Sequence, residues 1–291
     1  MKKTMQLITC TSLSALALLL TGCGSDSDDD TMTMSLEFQK LEPLGADYDY
    51  EGWLIVGGSP VSTGKFDVDE NSIPTPSEFT VNSDDAESAT KFVLTIEPVK
   101  DDPPEPADTH VLAGNIVDGE TLTAVLGIED GAALGVNFQS ATGTFILAAP
   151  SSAAEDDDVN GIWFLDASGP SASLNLPTLP AGWMYEGWVV GNDGPTSTGR
   201  FTDPTMADDD GAGSTAGTDG CTDAGDCPPF PGQDFINPAV DLSSGHMAVI
   251  SVEPEPDNAA APFALKPLVA EIGSDTAPTA QTMNNNAAAS A

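Results

Sequence analysis

Tyr50-Glu51-Gly52-Trp53 begins a segment of the chain that ends at Gly64-Lys65-Phe66. A second copy begins at Tyr185-Glu186-Gly187-Trp188 and ends at Gly199-Arg200-Phe201. The two segments align without a gap, and nine of their seventeen positions are identical. Self-similarity of this kind indicates one supersecondary unit that is used twice.

Each segment has the pattern of a β-hairpin, with a turn about Gly58 in the first copy and about Asp193 in the second. This register places Glu51 opposite Lys65 and Trp53 opposite Thr63. In the second copy it places Glu186 opposite Arg200. The sequence therefore predicts a cross-strand ion pair in each copy, worth about 0.2–1 kcal/mol.

A third strand follows each hairpin. In residues 91–97 the apolar side chains alternate, and Pro98 ends the strand because proline lacks the N–H that a sheet ladder needs. Val249 to Glu253, stopped by Pro254, repeats this pattern. The hairpins are 135 residues apart and the Glu-Pro strands 156 apart, so the second copy carries an insertion within 202–246.

The composition favours an all-β protein. The chain has 28 Gly and 23 Pro, and 40% of its residues are hydrophobic in short runs, a pattern typical of strands separated by turns. We expect two tandem antiparallel β-sandwich repeats, residues 34–155 and 156–273. The tail, 274–291, has no core-forming pattern and is expected to be disordered.

The N-terminus has the pattern of an export signal. Lys2 and Lys3 precede an apolar run at 16–20 that is too short to span a bilayer as a helix. The run ends in Leu20-Thr21-Gly22-Cys23, which resembles the lipobox of bacterial lipoproteins. The resemblance implies that residues 1–22 are a signal peptide and that Cys23 carries lipid, palmitate included. A simple secretory signal with an incidental cysteine is the alternative.

Residues 23–33 are rich in Asp and are expected to form a disordered acidic tether. Gly24 would be the second mature residue, where inner-membrane retention favours Asp, so the outer membrane or cell surface is the expected location. The lipid would be the membrane contact. We expect the rest of the chain to be extracytoplasmic.

Two cysteines lie in the insertion of the second copy. Cys221 and Cys227 are six residues apart, and in an oxidising compartment such a pair predicts a disulfide. The formal net charge of −38 excludes nucleic acid as an expected partner, because phosphates would be repelled.

The repeated acids and tryptophans allow a second hypothesis. Glu51 with Glu97, and Glu186 with Glu253, could serve as carboxylate pairs for glycoside chemistry, while tryptophan rings could bind sugar. We favour structural roles, because the glutamates lie on strands and tryptophans are strong core residues. No catalytic residue and no resident cofactor are expected.

Calcium is the one ion the sequence suggests. Asp67, Asp69, Asn71 and Glu78 partly match the spacing of an EF-hand loop, although Ser72 stands where that loop needs glycine. The acidic residues around Asp208 and the cysteines are a second candidate without recognised spacing. A solvated loop is the favoured interpretation of both.

The repeated motifs resemble the extracytoplasmic domain of anti-sigma-K factors. The resemblance lies in a Tyr-x-x-Trp strand, a Gly-Lys/Arg-Phe return strand and a Glu-Pro strand end. It covers about 65 residues in each copy. The residues are Tyr50, Trp53, Gly64, Lys65, Phe66, Glu97 and Pro98 in the first copy, and Tyr185, Trp188, Gly199, Arg200, Phe201, Glu253 and Pro254 in the second.

This resemblance implies an immunoglobulin-like sandwich and a sensory or partner-binding role. The sigma-binding helices and membrane-crossing segment of that family have no counterpart in this sequence, so sequestration of a sigma factor is not expected. The prediction is a non-enzymatic, lipid-anchored protein that binds an envelope protein or glycan. The alternative is a carbohydrate-binding or carbohydrate-cleaving module that uses Trp163, Trp183 and the repeated glutamates.

Overall fold

A computed structural model describes residues 16–21, 30–119, 121–219, 221, 227–257 and 259–290. The described chain is almost entirely β-structure, and its named strand pairs are antiparallel. This confirms the predicted fold class. The chain divides into two compact units: unit 1 runs to Asn137 and includes Pro180–Gly182, while unit 2 comprises Phe138–Leu179 and Trp183–Ser290.

In its described residues, unit 1 contains nine strands and one short helix. Asn82 caps the N-terminus of the helix by accepting a hydrogen bond from the Asp85 backbone N–H at 3.0 Å. The elements are β1 (Leu16–Thr21), β2 (Thr31–Ser35), β3 (Tyr48–Val56), β4 (Ser59–Val68), β5 (Pro74–Thr75), β6 (Glu78–Asn82), α1 (Ser83–Ser88), β7 (Ala89–Pro98), β8 (His110–Val117) and β9 (Leu122–Leu126).

Unit 2 has more numerous and shorter strands. Its elements are β10 (Thr144–Leu147), a 3-10 helix (Glu155–Asn160), β11 (Gly161–Trp163), β12 (Leu165–Asp166), β13 (Ser171–Ala172), β14 (Trp183–Gly191), β15 (Gly194–Phe201), β16 (Gly232–Asp234), β17 (Met247–Pro254), β18 (Leu268–Glu271), β19 (Gln281–Thr282), β20 (Asn284–Asn285) and α2 (Ala287–Ser290).

The strands of unit 1 form one sheet in the order β5-β4-β3-β7-β8-β9-β1-β2-β6. The sheet bends back on itself. Phe66 on β4 and Phe79 on β6 lie near its opposite edges, and their rings pack edge to face at 5.6 Å. Phe38 also stacks on Phe66 at 5.3 Å. This aromatic cluster closes one end of the core.

Unit 2 is built mainly from a five-stranded sheet, β15-β14-β17-β18-β20, and a four-stranded sheet, β16-β11-β10-β19. Phe164, which follows β11, packs against Phe145 of β10 at 6.4 Å. A Cβ added to Gly187 of β14 would lie 3.1 Å from the Phe164 ring. The two sheets therefore meet face to face around Phe164.

The predicted hairpin and third strand occur in both units with the same pairing. Tyr50 pairs with Phe66 on one side and with Ile96 on the other. Tyr185 pairs in the same way with Phe201 and Val252. In each case the two rings stack, at 5.7 Å in unit 1 and 5.6 Å in unit 2. The three-stranded unit thus recurs; equivalence of whole repeats stays a prediction.

The predicted hairpin register is correct only up to the glycine after the glutamate. Glu51 pairs with Lys65, but a β-bulge follows Gly52, so that Trp53 pairs with Ser62 and not with Thr63. The chain turns through Gly57 and Gly58, which both have positive φ. Unit 2 repeats the bulge between Glu186 and Trp188. An extra residue in one strand is the defining property of a bulge, and the predicted regular hairpin did not include one.

The bulge explains why glycine occupies position 52. A Cβ there would lie 2.5 Å from Thr63 Oγ1 and 2.7 Å from the Phe92 ring. The hydroxyl of Thr63, the extra residue, donates a 3.0 Å hydrogen bond to the Gly52 carbonyl. Gly187 stands in the same relation to Thr198. A side chain at either glycine would displace the bulge.

Two predicted boundaries are wrong. The first repeat was expected to run to 155, but β10 pairs with β11 and β19 inside unit 2, so the boundary lies at 137. The tail was expected to be disordered from 274 onward, yet β20 pairs with β18 and Met283 is buried. The strands of the tail gain stability by completing both sheets of unit 2.

The end of the expected signal peptide also has a place in the fold. β1 lies between β9 and β2, pairing Leu18 with Ala124 and Leu20 with Met34. The other residues of the expected signal peptide lie outside the described residues, as do Cys23 and most of the expected tether. Thr31 to Thr33, the end of that tether, belong to β2.

We predict that Gly52→Ala destabilises the protein by about 1–3 kcal/mol, because the added methyl overpacks the site between Thr63 and Phe92. Urea unfolding followed by tryptophan fluorescence measures the change. Gly127→Ala is the control, since a Cβ at that position meets nothing within 4 Å. Equal midpoints for the two variants would contradict the importance of the bulge.

Candidate functional site

Each tryptophan of the repeated motif donates a hydrogen bond to a hydroxyl on the third strand. Trp53 Nε1 donates to Thr95 Oγ1 at 2.9 Å, and Trp188 Nε1 donates to Ser251 Oγ at 2.8 Å. Both tryptophan residues are 3% exposed. A buried indole N–H needs such a partner, and the third strand supplies it in both units.

The same hydroxyl groups extend the chain of hydrogen bonds to buried carboxylates. Thr95 donates to Glu97 Oε1, and Ser251 donates to Glu253 Oε1. The same carboxylate oxygens also accept backbone N–H bonds from Ala107 at 2.8 Å and from Phe263 at 2.9 Å. Each donor is ten residues beyond its glutamate, so Glu97 and Glu253 each hold the loop that follows their strand.

A second glutamate lies beside the bulge in each unit. Ser62 donates to Glu51 Oε1, and Ser197 donates to Glu186 Oε1. The serine oxygens accept backbone N–H bonds from Gly64 at 3.2 Å and Gly199 at 3.1 Å. Because the bulge shifts the return strand by one residue, it brings this serine to the glutamate.

Burial sets the electrostatics of these acids. Desolvation raises the pKa of Glu97, and the charges of Asp102 and Glu51 raise it further. In unit 2, desolvation is again the largest cause and raises the pKa of Glu186 to about 7, with added repulsion from Glu253 and Asp257. Both units therefore concentrate negative charge where removal from water makes it costly.

The motif tyrosines anchor the approach to each hairpin. Tyr50 donates from its hydroxyl to the Glu42 carbonyl at 2.9 Å, and Tyr185 donates to the Pro177 carbonyl at 2.6 Å. Each acceptor lies eight residues before its tyrosine. Burial raises the pKa of both phenols, so they remain protonated donors at neutral pH.

The predicted cross-strand ion pairs are replaced by others. Lys65 Nζ lies 2.8 Å from Asp102 Oδ2 and donates to the Pro98 carbonyl at 2.8 Å. Arg200 pairs instead with Asp209 at 3.1 Å and Glu255 at 2.9 Å. Glu51 and Glu186 do lie opposite Lys65 and Arg200 in the ladder, but the long basic side chains reach past the two glutamates, whose carboxylates bond to serine.

The tryptophans do not form a sugar-binding platform. Trp53, Trp163, Trp183 and Trp188, which are all the tryptophans of the chain, are each at most 3% exposed. Trp163 Nε1 donates to Asp234 Oδ1 at 2.8 Å. The carbohydrate hypothesis required exposed rings beside the glutamates, and these rings belong to the core.

The expected calcium loop is organised by local hydrogen bonds. Asp69 Oδ1 accepts the backbone N–H groups of Asn71 at 2.8 Å and Ile73 at 3.0 Å. Asp67 accepts that of Val68 at 2.7 Å. Glu78 is exposed on β6. These contacts are those of a capped turn, and calcium binding at this loop stays a prediction.

The second acidic candidate is also internally bonded. Asp208 accepts backbone N–H bonds from Gly211 at 3.0 Å and Gly232 at 2.8 Å. Burial raises the pKa of Asp208 to about 8. This aspartate therefore ties the inserted segment to β16.

The predicted disulfide is present between Cys221 and Cys227. Cys221 is buried in a cluster with Ile146, Trp163 and Phe230. The disulfide thus fastens the insertion to the core of unit 2.

The sequence patterns did not identify the four serine and threonine hydroxyl groups that bond to the buried glutamates, or the acid at Asp257. Ser62 and Ser197 occupy identical positions of the aligned hairpins, and Thr95 and Ser251 each stand two residues before a Glu-Pro pair. Both regularities could have been found from the repeat. Asp257 had no such signal, because its importance depends on how the loop after β17 folds.

Comparison with known proteins supplies no family. No protein-family model matches the chain, and no curated protein matches it significantly. Among the described residues, no helix has the length and apolar character needed to cross a membrane. The resemblance to anti-sigma-K domains therefore rests on the motif residues alone.

We predict that Glu97→Gln makes stability less dependent on pH. The folded protein raises the pKa of Glu97 above its usual 4.5, so stability from the protonated form is present below that value. It is lost as the pH rises through the folded pKa. As the pH rises from 4.5 through the folded pKa of Glu97, the unfolding free energy of the wild type should therefore fall relative to that of Glu97→Gln.

Urea unfolding at a series of pH values measures this difference. Glu78→Gln, at an exposed position, is the matched control and should keep the pH dependence of the wild type. Parallel curves for the wild type and Glu97→Gln would show that the buried carboxylate does not carry the effect.

Proposed function

We propose that this chain is a lipid-anchored, extracytoplasmic bacterial lipoprotein that binds a protein or another envelope component through anti-sigma-K-like β domains. The observation that carries the proposal is the sequence Leu20-Thr21-Gly22-Cys23 after an apolar run and two N-terminal lysines. Lipid at Cys23 would hold the β units at a membrane without a spanning segment.

The disulfide supports an oxidising compartment. Cys221 and Cys227 are bonded, and such bonds persist mainly outside the cytosol. The formal net charge of −38 supports a partner that is basic or binds through cations, because like charges repel.

The position of β1 makes the proposal sharply testable. Cleavage before Cys23 would remove β1 from between β9 and β2, so each of those strands would lose one of its two backbone partners. Retention of β1 would instead keep residues 16–21 in the sheet. The mass of the exported protein distinguishes these two states.

We predict that Cys23→Ser abolishes lipid attachment. The full chain, expressed in a bacterium that processes lipoproteins, is labelled with an alkyne fatty acid and its intact mass is measured. The wild type should carry label and start at Cys23. The variant should carry no label, because serine lacks the thiol that is acylated.

Cys221→Ser is the control and should retain the label, because its thiol belongs to the disulfide. A wild-type chain that keeps residues 1–22 and takes up no fatty acid would overturn the proposal. Cleavage without label would leave the simple secretory signal as the correct alternative.

A further inference from the structure

Three carboxylates of unit 2 converge where β14 and β17 meet the loop that follows β17. Oxygen atoms of Glu186, Glu253 and Asp257 lie within 4.8 Å of one another. Two oxygens on opposite sides of a calcium ion, each bound at about 2.4 Å, are about 4.8 Å apart. The spacing therefore fits a single ion.

Glu186 supplies an independent sign that a ligand belongs there. Its Oε1 accepts the Ser197 hydroxyl, but its Oε2 is buried without a hydrogen-bond partner. The residue is 4% exposed. A buried oxygen without a donor costs free energy, and a cation would remove that cost.

The distances among the three acids show where the carboxylate of Glu186 lies. Glu253 and Asp257 are the acids whose charges raise its pKa, and repulsion from Glu253 is the stronger. Arg200 opposes them weakly, since its guanidinium makes its ion pairs with Asp209 and Glu255. An oxygen of the Glu186 carboxylate thus lies within 4.8 Å of an oxygen of each of the other two acids.

Unit 1 provides an internal comparison. An aspartate follows the Glu-Pro strand end in both units: Asp102 is five residues after Glu97, and Asp257 is four residues after Glu253. In unit 1 the ammonium group of Lys65 pairs with Asp102 at 2.8 Å. The corresponding base of unit 2, Arg200, pairs elsewhere. Among the described residues, the third acid of unit 1 thus has an ion pair with a basic side chain, and the base at the same position in unit 2 pairs with other acids.

We propose that Glu186, Glu253 and Asp257 bind one calcium ion. Carboxylate oxygens are the ligands that this hard cation prefers, and water would complete its coordination. Three protein ligands and a partly open third acid suit an affinity typical of extracellular calcium modules, with a dissociation constant of about 0.1–1 mM. The ion would join the central strands of unit 2 to the loop that begins after Pro254.

The proposal is tested on the full chain by thermal unfolding. Calcium chloride at about 10 mM should raise the unfolding midpoint of the wild type by about 2–5 °C over sodium chloride of equal ionic strength. Asp257→Asn should lose this shift. Because Asp257 is only half-buried, this variant should fold even if Glu186→Gln does not.

Two matched variants make the result specific. Glu97→Gln changes the corresponding glutamate of unit 1, and Asp69→Asn changes the loop that resembles an EF-hand; both should keep the calcium shift. Loss of the shift in Asp69→Asn but not in Asp257→Asn would place the ion in the other loop. Absence of a shift in the wild type, or an equal shift in every variant, would overturn the proposal.

Discussion

The hydrogen-bonded series of tryptophan, hydroxyl and glutamate is the constraint on which both units depend. An indole N–H buried without an acceptor costs free energy, and a carboxylate buried without donors costs more. Thr95 and Ser251 satisfy both demands at once, because each hydroxyl accepts from the indole and donates to the acid. The glutamate then accepts an N–H from the following loop. Removal of any member would leave a polar group unpaired inside a sheet.

The bulge is the second constraint, and it determines the chemistry of the neighbouring acid. A regular hairpin would have continued the Glu51–Lys65 pairing with Trp53 opposite Thr63. The extra residue instead brings Ser62 to Glu51 and leaves Lys65 to pair with Asp102. Since unit 2 repeats the bulge with Ser197 and Glu186, a local change in backbone register accounts for the same rearrangement of charge in both places.

The fold class, three strands of each unit and the disulfide were predictable because they depend on local patterns. These patterns are the alternation of apolar residues, the turn residues and the spacing of the cysteines. The bulge was missed because the hairpin was assumed to be regular; the extra residue changes which positions of β4 are buried, from Thr63 to Phe66 and Val68. The error at residues 138–155 has another cause. β10 follows unit 1 in sequence but pairs with β11 and β19, and long-range pairing leaves no local signature. For the same reason Asp257 could not be joined to Glu186, which is far from it in sequence.

The two units differ in which acids pair with the basic residue of the repeated hairpin. Both bury a pair of glutamates, and in both a third acid follows the Glu-Pro strand end. In unit 1, Lys65 forms an ion pair with that acid, Asp102. Unit 2 has arginine at the lysine position, but Asp209, in its insertion, and Glu255, after Pro254, hold the guanidinium. The insertion therefore does more than lengthen a loop: with Glu255, it engages the guanidinium of Arg200, whereas in unit 1 the base at this position pairs with the acid after the strand end. Unit 2 thus keeps the buried acids of the repeated motif, while its basic residue, Arg200, pairs with Asp209 and Glu255. The proposed calcium site depends on this difference between the units.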